Sequence, residues 1–180
     1  MNNNNKSRPS WFANKKTAHG ENFINIMRAD ELQHSIPQIF RDIARGNFDP
    51  NREIVYLANP LITSTIIQYC SNKITSLNVI LKDMVYVTAN CPADNAVDAS
   101  NRAIVYNNIK YRQEMYSHIH NELSTFRYIV ANTPGFDIYN IPKNPDMSVS
   151  IANIPGSCNL IKVVDVLRHY RSYLDANNLF

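Results

Sequence analysis

Glu114, His118 and Glu122 are the residues whose types and spacing come closest to a metal site. Successive steps of four residues place all three on one helix face, and carboxylates with imidazoles in such positions bind metals inside helical bundles. A two-metal bundle also needs a Glu-x-x-His motif on each of two helices, whereas this sequence has one, Glu31 to His34. We therefore expect no metal site, and interpret this face as solvated, with a surface pair between His118 and Glu122.

The usual enzyme motifs are missing from the sequence. No serine lies in a Gly-x-Ser-x-Gly elbow, and His118 and His120 point about 200° apart on a helix, so they cannot chelate one ion. The glycines stand too far apart to form a phosphate-binding loop: Gly20, Gly46, Gly135 and Gly156. We expect no catalytic residues and no cofactor, and predict that the protein is not an enzyme.

The three cysteines, Cys70, Cys91 and Cys158, lack the Cys-x-x-Cys spacing of zinc and redox sites. An odd, widely spaced set is typical of a reducing compartment, and we interpret the thiols as small buried hydrophobes. No apolar run approaches the length of a membrane span or a signal peptide, so we expect no membrane association.

The formal net charge of +3 is concentrated at the amino terminus. Four cations precede the first acid, Glu21, and the remaining body carries 14 basic and 15 acidic residues. The basic arm and a second cluster, in which cations flank a tyrosine, are candidates for binding nucleic acid: Lys6, Arg8, Lys15, Lys16, Lys110 and Arg112. A similar cluster at Arg168 to Arg171 is better explained by helix-terminal cations that pair with Asp165 and Asp175.

The amino-terminal third of the sequence predicts an extended arm followed by two short helices. Residues 1–20 begin with four consecutive asparagines after Met1 and show no helical or strand period. Ser35 with Gln38 has capping-box spacing and Pro37 suits a first turn, so we predict a helix over 36–45. Asp49 followed by Pro50 is the next start signal, and Asn59 followed by Pro60 repeats it, which predicts a helix over 50–58 that kinks or ends before a longer one.

Two long helices occupy the middle of the sequence. From Pro60, apolar residues recur at steps of three and four, including Ile62, Ile66, Leu77, Ile80 and Met84, which predicts a helix over about 60–90. A second such series, with Asp98 or Ser100 as its cap, predicts a helix over about 99–131. Helices of matched length joined by a short polar link pack antiparallel.

The carboxy-terminal quarter has a different pattern. Prolines alternate with Ile, Val and Tyr over 136–159, which predicts an extended segment or a β-hairpin, and a last helix follows over about 160–176. The expected fold is therefore mainly α: a long antiparallel hairpin packed with shorter helices in one domain over 21–180. Exposed apolar residues of the arm and of the proline-containing segment are candidate partner-binding residues: Trp11, Phe12, Phe136, Tyr139, Ile151 and Ile154.

The composition and layout also carry a resemblance. The chain contains 25 asparagines, starts MNNNNK and includes PQIFRDIARGNFDP at 37–50. Its layout is an arm, a helix, a helical hairpin and a second arm. In this composition and layout the chain resembles small virion proteins of crAss-like phages of Bacteroidetes, most of all head-to-tail connector proteins. The resemblance implies a subunit of a homo-oligomeric ring that is made in the host cytoplasm, enters the virion and contacts portal and tail components.

Two hypotheses from different classes follow. The first is a structural assembly protein, a connector ring subunit or another virion protein such as a capsid decoration or ejected internal protein. The second is a nucleic-acid-binding accessory protein that uses the basic arm with Lys110 and Arg112.

Overall fold

The structure is a computed structural model that describes residues 29–146 and 148–176. It confirms the predicted mainly helical fold, in which a long helix pair packs against shorter helices. The elements in chain order are α1 (Ala29–Arg45), α2 (Pro50–Ala58), α3 (Pro60–Asn90), α4 (Ala96–Ala131), a 3₁₀ helix (Ile151–Asn153), α5 (Ser157–His169) and α6 (Arg171–Ala176). None of the helices in these described ranges is long and apolar enough to cross a membrane.

The start signals at the two Asx-Pro pairs are confirmed. Asp49 Oδ1 accepts the Asn51 N–H at 2.8 Å at the start of α2. Asn59 Oδ1 accepts the N–H groups of Leu61 and Ile62 at 3.0 and 3.3 Å at the start of α3. Each cap satisfies amides that have no partner within the helix, and the following proline lacks the amide that would need one.

The prediction for α1 was wrong at its start, since the helix covers Ala29–Arg45 rather than 36–45. Ser35 is not a cap; its hydroxyl donates to the Glu31 carbonyl one turn earlier at 3.4 Å. Leu32 extends the apolar face of Ile36 and Ile39 backwards, and all three are fully buried. Burial of this face outweighs the backbone hydrogen bond that Pro37 removes inside the helix.

Helix α4 also begins earlier than predicted, at Ala96 rather than near 99. Its cap is Asn95, whose Oδ1 accepts the Asp98 N–H at 2.8 Å. The Asp98 carboxylate in turn accepts the Asp94 N–H at 3.0 Å. Asp98 is therefore the acidic member of a reciprocal capping arrangement and not the cap itself.

The predictions for the carboxy-terminal quarter need three corrections. No strand forms in the described part of 136–159; an isolated antiparallel bridge joins Lys143 and Val149 instead. The last helix begins at Ser157, and it is interrupted at Tyr170 rather than continuous to 176. Gly156 permits the early start, because its φ is +75° and a Cβ there would lie 3.1 Å from the Phe126 ring of α4.

The core lies between the shorter helices and the part of the α3–α4 pair that they cover; these helices and the covered part of the pair together are called the body. The ring of Tyr69 from α3 lies edge-on between Phe40 of α1 and Tyr116 of α4, with centroid distances of 6.1 and 6.0 Å. Each large apolar side chain buried in such a core contributes roughly 1.5–3 kcal/mol. The cysteine prediction was right for Cys70, which is buried in this core, and wrong for Cys91 and Cys158, which are exposed.

At the edge of the core, an ion pair joins α2 to α5. Glu53 is 1% exposed and its Oε2 accepts from Arg168 Nη2 at 3.1 Å. Burial raises the pKa of Glu53 to about 7 and the nearby Asp49 adds to the rise, whereas Arg168 and a backbone hydrogen bond from Phe48 lower it. Desolvation therefore outweighs the partner's charge at this site.

The raised pKa of Glu53 predicts that stability falls as pH rises from about 4.5 to about 7. Because the folded-state pKa is above the unfolded value of 4.5, its contribution is complete below pH 4.5 and is lost as pH rises through about 7. The loss is at most about 3 kcal/mol. Urea unfolding at pH 5 and pH 8 should show a larger fall in the wild type than in Glu53→Gln. Equal falls in the two proteins would contradict this origin.

Candidate interaction surface

The amino-terminal candidates lie outside the described residues. These are the apolar pair Trp11 and Phe12 and the basic residues Lys6, Arg8, Lys15 and Lys16. Their roles remain predictions.

The partner-binding candidates of the carboxy-terminal quarter differ widely in exposure. Tyr139 is 76% exposed, whereas Ile154 is 2% exposed and belongs to the core. Phe136 and Ile151 are half-buried, and Ile151 packs against the core. Within this segment, Tyr139 therefore offers the largest accessible side chain of the four.

The helix face considered for metal binding forms a structural contact instead. Glu122 is half-buried, and its Oε2 accepts from Asn159 Nδ2 of α5 at 2.8 Å. The predicted surface pair was wrong, since no ion pair joins Glu122 to His118 in the described ranges. Glu114 and His118 are exposed, and no group of three potential ligand residues is assembled among the residues that the structure describes.

The two basic-aromatic clusters of the sequence meet in space at the α4–α6 contact. The Tyr111 ring lies 4.4 Å from that of Tyr170 and 5.7 Å from that of Tyr173. Arg112 Nε donates a hydrogen bond to the Tyr173 hydroxyl, and its guanidinium carbon lies 5.5 Å from that ring's centroid. We call Tyr111, Arg112, Tyr170 and Tyr173 the aromatic junction.

The guanidinium groups around the aromatic junction have internal partners. Arg171 pairs with Asp175 at 3.6 Å, as predicted, but Arg168 pairs with Glu53 rather than Asp165. Lys110, in contrast, is exposed. Arg168 therefore joins α5 to α2, whereas the Arg171 pair lies within α6.

The α3–α4 hairpin extends beyond the shorter helices. We call residues 78–111 its projecting half, because Leu81 is the one buried residue in that range; at its base, Tyr111 contacts Tyr170 between α5 and α6 and Tyr173 of α6. Asn78 and Gln113 are hydrogen-bonded across the pair, and Arg102 Nη1 donates to the Cys91 carbonyl near the tip. The 13 residues from Asn78 to Asn90 correspond to about 20 Å of helix.

The projecting half carries most of the exposed apolar surface. Of twelve large hydrophobic side chains exposed in the described ranges, nine lie on it. They are Val79, Ile80, Val85, Tyr86, Val87, Val97, Ile104, Val105 and Tyr111. Such a concentration is typical of an interaction surface, whereas isolated exposed hydrophobics are ordinary.

Part of this surface continues the face that the shorter helices cover in the body. Residues seven apart lie on nearly the same side of a helix. On α3, Ile66 is fully buried, whereas Ile80 and Val87, two and three heptads later, are 43% and 44% exposed. On α4, Ile119 is fully buried and Val105 is 49% exposed. We call Ile80, Val87 and Val105 the uncovered core face.

The sequence reasoning missed this surface because it assigned the apolar residues to the contact between the two long helices. It placed Ile80 there, but Leu81 is the buried residue at that height, 8% exposed. The sequence signal that could have revealed this surface is the heptad spacing of Val79 with Tyr86 and of Val97 with Ile104.

Leu81 should hold the projecting half together, while Val79 should not. Leu81→Ala removes a buried side chain from a two-helix contact and is expected to cost about 2 kcal/mol locally. Hydrogen exchange should then accelerate in residues 79–109 but not at Phe40 or Tyr116. The control, Val79→Ala at a 56% exposed position, should change little. Equal effects from both variants would contradict the assignment.

Comparisons with protein-family models, with curated proteins and with solved structures found no match to this chain.

Proposed function

We propose that the protein is a structural assembly subunit that joins other proteins through the projecting half of its hairpin. The resemblance of its sequence and layout gives the proposal its finer form, a connector ring subunit between the portal and the tail of a crAss-like phage virion.

The observation that carries the proposal is that nine of the twelve large hydrophobics exposed in the described ranges lie on one projecting element. In the body, α1 and α5 bury the corresponding hairpin face within the core. The uncovered core face continues that surface without a covering helix among the described residues. A partner that covers it gains roughly 1.5–3 kcal/mol for each large side chain fully buried.

The charges of the projecting half favour apolar recognition. The projecting half carries three bases, Lys82, Arg102 and Lys110, and three acids, Asp83, Asp94 and Asp98, with Arg102 and Asp98 paired at 3.2 Å. Its formal net charge is therefore zero. A protein surface with its own apolar groove suits this chemistry better than a strongly charged partner does.

Charge placed on the uncovered core face should prevent assembly. Ile80→Lys with Val87→Lys puts two ammonium groups where a partner buries apolar side chains. Light scattering after mixing with the proteins encoded beside its gene should show a complex of discrete stoichiometry for the wild type and at least about tenfold weaker assembly for the variant.

The matched control carries Tyr128→Lys with Ile161→Lys, since these side chains are 69% and 40% exposed on the body. The control should assemble normally, and circular dichroism should show that all three proteins are folded. Equal loss in both variants, or a wild type that forms no complex, would overturn the proposal.

A second candidate function is nucleic-acid binding, which the aromatic junction favours. Two cation-containing segments 58 residues apart meet there, beside the exposed Lys110. On this alternative, affinity for single-stranded DNA should fall steeply with salt, and Lys110→Gln should reduce the salt slope by about one unit. Absent or salt-insensitive binding would eliminate the alternative.

A further inference from the structure

We draw no further inference here: the strongest candidate, the exposed apolar surface of the projecting half that includes Val79, Tyr86, Val97 and Ile104, carries none because nothing in the structure shows what covers it.

Discussion

The antiparallel packing of α3 against α4 determines which apolar surface the rest of the molecule has to cover. Helices of 31 and 36 residues expose more apolar surface than they can cover for each other. The shorter helices cover one half of the pair, where Ile66 and Ile119 are fully buried, and leave the other half uncovered. The same heptad pattern therefore produces a core at one end of the hairpin and an exposed apolar surface at the other.

The polar residues that first suggest chemistry hold this arrangement together. Glu122 bonds to Asn159 and joins α4 to α5, while Arg168 bonds to the buried Glu53 and joins α5 to α2. Arg112 bonds to Tyr173 and fixes α6 against α4. Each contact links residues that are 37 or more positions apart in the sequence, so these side chains stabilise the tertiary structure. The projecting half, by contrast, exposes mainly apolar side chains.

The sequence was sufficient for elements governed by local signals and insufficient for those governed by tertiary contacts. Asp49-Pro50 and Asn59-Pro60 located two helix starts correctly because capping is a local interaction. The start of α1 was missed because burial of Leu32 outweighs Pro37, and exposed Cys158 was expected to be buried because burial depends on the whole fold. Heptad spacing identified the apolar positions of α3 and α4 but not the point where their covering helices end.

The central claim is that assembly covers the projecting half of the hairpin. Hydroxyl-radical footprinting of the isolated chain and of its complex with partner proteins measures this directly, residue by residue. Side chains between Val79 and Tyr111 should react in the isolated chain and become protected in the complex, while Tyr128 should react equally in both. Unchanged reactivity of Tyr86 and Val87 in a complex that protects only the body would contradict the claim.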